Sequence, residues 1–464
     1  MTSEATNHGM EGCPRELLTC PDLEGVSAKL MAKRLNNTDP GFERAFAALL
    51  AEKREVSEEV DGVVSSILKD VRSRGDAALI ELSRKFDRVD LGEKGIAVSA
   101  DEIAEALERT RKETPEALEA LEFAHNRIVA HHQRQKPGSG RYKDETGTEL
   151  GERWTPVQSA GLYVPGGLAS YPSSVLMNGV PAKVAGVERI VMVVPMPGGE
   201  VNPLVLAAGS MIADEIYRVG GAQAVAALAY GTETIEPVAA IVGPGNAYVA
   251  AAKRHVYGTV GIDSIAGPSE VLVIADAAND PEWIAADLLA QAEHDTAAQS
   301  ILMTDDAAFA DAVAQTVERQ LSELPRREIA ARSWQDFGAM IVLDSLDAAP
   351  ALADRIAAEH LEIATADAEG LAAMINNAGA IFIGSYTPEV IGDYVAGTNH
   401  VLPTARSARF SSGLGVLDFM KRTSILKLDA AALKALGPAA MALARSEGLE
   451  GHRRSVELRL SKTG

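Results

Sequence analysis

The sequence predicts an α/β protein with two doubly wound units in series, each a parallel sheet wrapped by helices. From residue 160, short apolar runs alternate with amphipathic segments, in "AGLYVPGG", "RIVMVVPMP", "EIYRVGG" and "AAIVGPG". After "AGPSE" the alternation begins again, through "VLVIADA", "SILMTDD", "AMIVLD", "LEIATAD" and "AIFIGS". Strands that alternate with helices are typical of parallel sheets covered on both faces. We therefore expect two incomplete Rossmann-like units.

Helical segments precede the first unit, and a small appendage follows the second. Apolar residues recur at three- and four-residue spacing in "FERAFAALLAEKREVSEEVDGVVSSILKDVRSRG", which predicts helices that end at Gly75. Another helix is predicted from Pro115 to about Gln133. The expected division has four parts, namely an N-terminal segment (1–38), a first α/β domain (39–162 with 270–415), a second α/β domain (163–269) and a C-terminal appendage (416–464).

Composition limits the classes of function. The chain has 464 residues, 47% of them hydrophobic, and a formal net charge of −21. An acidic surface makes broad binding to nucleic acid or to an anionic membrane unfavourable. The N-terminus lacks the basic and apolar regions of a secretory signal, and no apolar run is long enough for a membrane helix. We expect a cytoplasmic protein that binds neither nucleic acid nor membrane.

The first of two Glu-His dipeptides lies in "QAEHD", at the end of a predicted helix. Asp280 before Pro281 is a strong helix start, because Asp caps the helix and Pro fits its first turn. At 100° per residue, Gln291 and His294 then share the inward face, where two side chains can converge on one ion. A hydrogen-bonded polar pair at a helix end is the alternative.

The second dipeptide, Glu359-His360, falls where a helix gives way to the strand "LEIATAD". Side chains at such junctions of α/β sheets often face a ligand crevice. A carboxylate beside an imidazole is a suitable general-base arrangement. A solvated loop pair is the alternative.

Three other patterns carry polar or glycine residues. "GDYVAGTNHVLPT" brings Asp393 and His400 into one loop, a donor set that suits zinc, although loops rich in Asp, Asn and Gly are common without any ligand. The tail carries Glu447 and His452 in "EGLEGH", which alone would be surface residues. "VGPGNAYVAAAK" sets Gly-Pro-Gly between a strand and a helix, where backbone amides could meet a phosphate, but the third glycine of a dinucleotide motif is absent.

Taken together, these segments resemble the histidinol dehydrogenase family, from about residue 40 to the tail. The resemblance rests on segments in family order, namely "GLYVPGG", "GGAQAVAALAYGT", "GPGNAYV", "AGPSEVLVIAD", "DLLAQAEH", "EHLEI", "GDYVAGTNHVLPT" and "EGLEGH". It implies a zinc ion held by Gln291, His294, Asp393 and His452, and two catalytic bases, Glu359 and His360.

The resemblance also implies further contacts and partners. Tyr163, Gln223 and Asn246 correspond to NAD contacts. Substrate-facing positions correspond to Ser269, His400 and Glu447, together with the catalytic pair and the zinc ligands. Members are homodimers in which the tail of one subunit completes the other subunit's site, which would explain the isolated appendage.

The implied chemistry is the oxidation of L-histidinol to L-histidine through the aldehyde, with two NAD+ and one water. His360 would take the hydroxyl proton, and Glu359 would activate water against the aldehyde. A thiol-dependent route is disfavoured because Cys13 and Cys20, the two cysteines, both lie near the N-terminus. Two rivals remain, a sister zinc- and NAD-dependent dehydrogenase of another small alcohol, such as a sulfonated diol, and a non-catalytic zinc-stabilised binding protein.

Overall fold

The computed structural model describes residues 32–52, 58–166 and 171–462. Cys13 and Cys20 lie outside these residues. The strands are β1 (Lys33–Asn36), β2 (Gly140–Lys143), β3 (Glu149–Pro156), β4 (Ser159–Tyr163), β5 (Arg189–Val193), β6 (Glu215–Tyr217), β7 (Ala240–Val242), β8 (Gly261–Ile262), β9 (Glu270–Ala275), β10 (Gln299–Thr304), β11 (Ala339–Val342), β12 (His360–Ala364), β13 (Ala380–Ile383) and β14 (Met420–Lys427).

Helices alternate with most of these strands. They are α1 (Phe42–Ala51), α2 (Glu58–Arg74), α3 (Asp76–Phe86), α4 (Leu91–Lys94), α5 (Ala100–Glu113), α6 (Pro115–His132), α7 (Pro172–Ala185), α8 (Pro203–Ile212), α9 (Gly221–Tyr230), α10 (Ala247–Val256), α11 (Pro281–Ala292), α12 (Ala307–Leu321), α13 (Arg327–Phe337), α14 (Ala349–Ile356), α15 (Ala368–Met374), α16 (Glu389–Tyr394), α17 (Ala430–Ser446) and α18 (Glu450–Leu460). Among the described residues, no helix combines the length and the apolar character needed to cross a bilayer.

The predicted helix boundaries agree with the structure at three places. α2 ends at Arg74 before Gly75, and α6 spans Pro115–His132. Asp280 caps α11, since its side chain accepts a hydrogen bond from the Glu282 amide. Local capping and proline signals were therefore sufficient to position these helix ends.

Two parallel sheets confirm the predicted α/β class. The larger has the strand order β1-β11-β10-β9-β12-β13, and the smaller has the order β6-β5-β4-β7-β8. Alternate residues of each strand enter cores on opposite faces. In β9, for example, Leu272 packs with α1 and α14, whereas Val273 packs with α11 and α12. Both sheets are thus covered on both faces by helices, as parallel sheets generally are.

The packing of the N-terminal half differs from the predicted domain division. β1 lies within the predicted N-terminal segment, yet it pairs with β11 of the larger sheet. The helices from α2 to α6, assigned to the first domain, pack on the smaller sheet instead; Val64 of α2 and Ile128 of α6, for example, enter its two cores. β4 also belongs to the smaller sheet. Helical periodicity gives the buried face of a helix but not the sheet that it covers.

A third sheet leads into the C-terminal appendage. It is antiparallel, with the order β14-β3-β2, and the chain continues from β14 into α17 and α18. These two helices pack closely on each other at Gly437, where an added Cβ would lie 2.9 Å from a methyl carbon of Leu460. Their outer surfaces expose apolar side chains, including Leu436, Leu443, Leu449 and Leu458.

Candidate active site

A cavity of about 610 Å³ lies where the two parallel sheets meet. On one side it is lined by Tyr163 and the 243–247 segment, which lie at the carboxyl ends of β4 and β7. These neighbouring strands flank the point where the strand order of the smaller sheet reverses, a usual location for ligand crevices in open α/β sheets. On the other side, Ser269, Glu359 and His360 line the cavity at the amino ends of β9 and β12.

The backbone around Glu359 and His360 directs both side chains into buried surroundings. Ala357 ends α14 in the left-handed conformation (φ 51°), and β12 begins at His360. Glu359 Oε2 accepts a hydrogen bond of 3.0 Å from the Glu270 amide, and His360 Nδ1 lies 3.2 Å from the Glu270 carbonyl oxygen. The start of β9 therefore holds both members of the pair.

The two side chains have strongly shifted pKa values. Burial raises the pKa of the Glu359 carboxyl to about 7. Burial alone would lower the pKa of His360, but the neighbouring carboxylates of Glu389 and Glu359 raise it well above the ordinary value. Such shifts are typical of acid–base groups at active sites. His360 Nε2, which makes no hydrogen bond within the described residues, is the nitrogen available to a ligand in the cavity.

Three of the four predicted zinc ligands lie in the cavity wall or directly behind it. His294 lies in the turn after α11 and lines the cavity, as does Asp393 of α16, whose Oδ1 is 3.5 Å from His360 Nε2. The contact with His360 holds the pKa of Asp393 below its ordinary value despite burial, so this carboxyl is ionised. Gln291 is fully buried on α11, one turn before His294.

The Gln291 side chain is the strongest sign of a missing partner. Neither its Oε1 nor its Nε2 has a hydrogen-bond partner within the described residues, although the side chain is completely inaccessible to solvent. Leaving a buried amide unpaired costs about 1–3 kcal/mol, so a ligand for its oxygen is favoured there.

Two predicted substrate residues also line the cavity. Ser269 precedes β9, and its carbonyl oxygen accepts a hydrogen bond from the Gln299 amide. The His400 ring is fixed at both nitrogens, with Nδ1 2.9 Å from the Asp393 carbonyl oxygen and Nε2 3.3 Å from Ser174 Oγ. Burial lowers the pKa of His400, which keeps the ring neutral.

The predicted NAD contacts occupy the smaller-sheet side. The hydroxyl of buried Tyr163 accepts a 3.0 Å hydrogen bond from the Gly221 amide at the start of α9. Asn246 caps α10 and lines the cavity, while buried Gln223 on α9 lies behind Gly221 and is absent from the cavity wall.

Glu447 and His452 are not brought to the cavity of their own chain. Glu447 follows α17 and His452 lies on α18, and both are exposed. The described residues also hold no cluster of three or more His, Cys, Asp or Glu side chains arranged for a metal ion. His294 and Asp393 therefore lack the further histidine that the predicted set includes.

Several site residues were missed by the sequence analysis. Lys253 and Asp263 form a buried ion pair in the cavity wall, and both also bind the backbone of Gly243. Ser174 contacts His400, and Glu389 lies 3.4 Å from His360 Nδ1. Of these, only Glu389 had a local signal, since it precedes Asp393 by one helical turn.

Comparisons with known proteins agree on one family. The family model described as histidinol dehydrogenase matches residues 50–460. The histidinol dehydrogenase of Rhizobium meliloti is 67% identical over 432 residues, covering 93% of this chain and 99% of the relative. That of Rhodospirillum rubrum is 61% identical over 434 residues, covering 93% and 99%.

A solved structure supports the same relationship. The crystal structure of histidinol dehydrogenase from Elizabethkingia anophelis matches with a TM-score of 0.88 and 36% sequence identity, and the match covers 94% of this chain and 99% of that one. The family model, the relatives and this fold agree over nearly the whole length. The chain therefore belongs to the histidinol dehydrogenase family of oxidoreductases.

Proposed function

We propose that the chain oxidises L-histidinol to L-histidine through L-histidinaldehyde, with two NAD+ and one water. The observation that carries the proposal is the convergence of Glu359 and His360 on one cavity, opposite the residues that follow β4 and β7. One cavity thus combines two bases with a surface suited to a dinucleotide. Relatives that share 61–67% of their residues with this chain are named histidinol dehydrogenases.

His360 is the base for the first oxidation. In the neutral ring, which is the form that acts as a base, Nδ1 faces the Glu270 carbonyl oxygen, and this favours the tautomer with the proton on Nδ1 and the lone pair on Nε2. Nε2 then accepts the hydroxyl proton of histidinol as hydride leaves the carbinol carbon for NAD+. The carboxylates of Glu389 and Asp393 stabilise the imidazolium that results.

Glu359 is the base for the second oxidation. With a pKa of about 7, its carboxyl can accept a proton from water near neutral pH. The water oxygen bonds to the aldehyde carbon as Glu359 takes one of the water protons, which gives a gem-diolate. The gem-diolate loses a second hydride to NAD+ and one further proton to form the carboxylate of histidine. The Glu270 amide, donating to Glu359 Oε2, fixes the carboxylate during this step.

We propose that Gln291, His294 and Asp393 hold zinc together with the partner subunit's His452. The unpaired buried amide of Gln291 and the ionised Asp393 fit the donor requirements of this metal. When bound, zinc supplies a Lewis-acid anchor for the amine and imidazole of the substrate. Ser269 in the same wall is available to orient those groups, and the His400 ring, held at both nitrogens, lines the wall beside it.

We propose that NAD+ binds along Tyr163, Gln223 and Asn246. The Gly243 turn leads directly into the start of α10, where the positive end of the helix dipole favours a phosphate group. The buried pair of Lys253 and Asp263 holds this turn from both sides, through its carbonyl oxygen and its amide.

We propose a homodimer in which α17 and α18 reach the site of the second subunit. The exposed leucines of these helices would be buried by such an exchange. A matching apolar surface flanks the site around α16, where Val390, Ile391 and Tyr394 are exposed. Glu447 and His452 would then enter the partner's cavity, as substrate and zinc ligands respectively.

A substrate comparison tests the proposed activity. Purified protein is incubated with NAD+ and, in separate reactions, L-histidinol or a sulfonated diol, and NADH is followed by absorbance. We expect turnover of L-histidinol at least about a hundredfold above the diol, because a site built to bind polar groups strongly rejects analogues that lack them. Preference for the diol would assign the chain to a sister activity, and no turnover of either would favour a binding protein.

A further inference from the structure

A second layer of acidic residues lies beneath the proposed catalytic pair. It consists of Asp287 on α11, Glu362 on β12 and Glu389 on α16, which we call the inner carboxyl layer. Glu362 and Glu389 are 4% and 1% exposed, and Asp287 is half-buried. Buried carboxyl groups without a cation are costly, so their presence requires an explanation.

The periodicity of each element places one residue in this layer and one at the site. On α11, Asp287 precedes Gln291 by four residues, and on α16, Glu389 precedes Asp393 by four. On β12, Glu362 follows His360 by two residues and therefore points to the same face of the sheet. Each site side chain thus has an acidic neighbour on its own element, directed towards the core.

Hydrogen bonds within the inner carboxyl layer lead to a close contact with His360. The Glu389 amide donates to Glu362 Oε1 at 2.5 Å, and the side chains of Glu362 and Asp287 hydrogen-bond to each other. Glu389 Oε2 lies 3.4 Å from His360 Nδ1 and makes no hydrogen bond within the described residues. The layer therefore ends on the nitrogen that faces away from the cavity.

The charges in the layer are consistent with shared protons. Burial raises the pKa of Asp287 to about 6 and that of Glu389 to about 8, and it raises the pKa of Glu362 well above the ordinary value. A side-chain hydrogen bond between two carboxyl groups requires one proton between them.

We propose that Glu389 is a positioning residue. The other two members of the inner carboxyl layer hold it against His360 Nδ1, and this contact keeps Nε2 facing the substrate. This role rests on the proposed function, because it is defined by the proton that Nε2 accepts. Glu389 is not among the residues that line the cavity, but it lies 3.4 Å from His360 Nδ1, so it acts through the ring of His360.

The test is a double-mutant cycle on Glu389 and His360. Glu389→Gln keeps the side-chain shape but removes the ionisable carboxyl near Nδ1. We expect kcat for histidinol oxidation to fall by about tenfold to a hundredfold, the usual loss when a group that orients a functional histidine is removed. KM for histidinol should stay within about twofold and zinc content should be unchanged. In a His360→Asn background, the same substitution should have no further effect.

Two variants control for folding. Asp276→Asn also replaces a carboxyl by an amide, but at the carboxyl end of β9, away from the cavity. There Asp276 accepts a hydrogen bond from the Ala366 amide, and the variant should retain wild-type kcat. If Glu389→Gln does not fold, Asp287→Asn at the half-buried end of the layer replaces it in the cycle, with a smaller expected loss that also vanishes in the His360→Asn background.

Additive losses in the cycle, or a normal kcat in a folded Glu389→Gln enzyme, would overturn the positioning role. Loss of zinc from Glu389→Gln would also overturn it, since Glu389 would then act through Asp393. Failure of the proposed function is seen separately, in wild-type protein that does not oxidise histidinol at all.

Discussion

Glu359 and His360 are adjacent in the chain, but their side chains have different surroundings. The Glu359 carboxylate is bound by one backbone amide, whereas the His360 ring lies among three carboxylates and a carbonyl oxygen. These differences support separate roles, with His360 for the alcohol and Glu359 for the hydration of the aldehyde.

Substitution of each base should affect a different oxidation. His360→Asn is expected to slow the oxidation of histidinol by about a hundredfold or more, the usual contribution of a general base. Glu359→Gln should slow the oxidation of added histidinaldehyde by a similar factor, and it should slow the oxidation of histidinol less. Single-turnover NADH formation from each substrate measures the two steps, and equal small losses in both variants would remove the separate roles.

The pH dependence of the aldehyde step should follow Glu359. Burial raises the pKa of this carboxyl to about 7, and it acts as a base only when ionised. The rate should therefore be constant above that pH and fall about tenfold for each unit below it. Stopped-flow rates of aldehyde oxidation at a series of pH values measure this decline. A rate that does not change between about pH 5.5 and 7.5, or the same decline in Glu359→Gln, would assign the ionisation to another group.

Single residues were predicted from the sequence only where a motif or a local signal existed. Glu359, His360, His294 and Asp393 were named through the resemblance, and all four line one cavity. Glu389 was missed because its role depends on packing between α16 and β12, which are separated by many residues in the chain. Lys253 and Asp263 were missed for the same reason, since their ion pair forms only after folding.

Among the elements, the turn after β7 connects the fold most directly to the proposed binding of NAD+. Gly243 has φ +113°, and an added Cβ would lie 2.2 Å from the Tyr163 carbonyl oxygen. Both backbone groups of Gly243 are bound by the buried Lys253 and Asp263 pair. The turn has therefore little freedom to accommodate a side chain.

Gly243→Ala should raise KM for NAD+ by about tenfold or more, because a displacement of about 1 Å at a binding site can cost up to a hundredfold. Gly258→Ala is the matched control, since Gly258 also has positive φ (+97°) but nothing within 4 Å of an added Cβ. It should lower the free energy of unfolding by only about 1 kcal/mol and leave KM unchanged. Initial rates and thermal unfolding of both variants measure this, and equal effects on KM would contradict the role of the turn.

The elements themselves were largely predictable, but their assignment to sheets was not. Alternation of apolar strands and helices gave the parallel α/β class, and caps gave the helix ends at Gly75 and Asp280. The strand order places β1 beside β11, and the helices α2 to α6 cover the smaller sheet, both contrary to the expected division. These contacts join residues far apart in sequence, for which a single chain carries no local pattern.

At the scale of the whole molecule, the proposed site requires two chains. His294 and Asp393 lie in the cavity of one chain, while Glu447 and His452 lie exposed on its own tail. Two exchanged tails in a two-fold dimer would complete two identical sites. The exposed leucines of α17 and α18 would then be buried in the interface.

Complementation between two inactive variants tests the exchange. Co-expressed His452→Ala and Glu359→Gln chains form mixed dimers, in which one site receives both substitutions and the other receives neither. Random pairing should then restore activity at about one quarter of all sites. Each variant expressed alone is the control. Absence of recovery in purified mixed dimers would mean that the tail serves its own chain.

The central claim, a two-step oxidation in one site, is tested most directly by counting NADH. Purified protein is incubated with limiting L-histidinol and excess NAD+, with and without a chelator, and NADH is measured at completion. We predict two NADH for each histidinol, lost on chelation and restored by zinc. One NADH for each histidinol would contradict the role of Glu359, and no NADH would contradict the proposed activity.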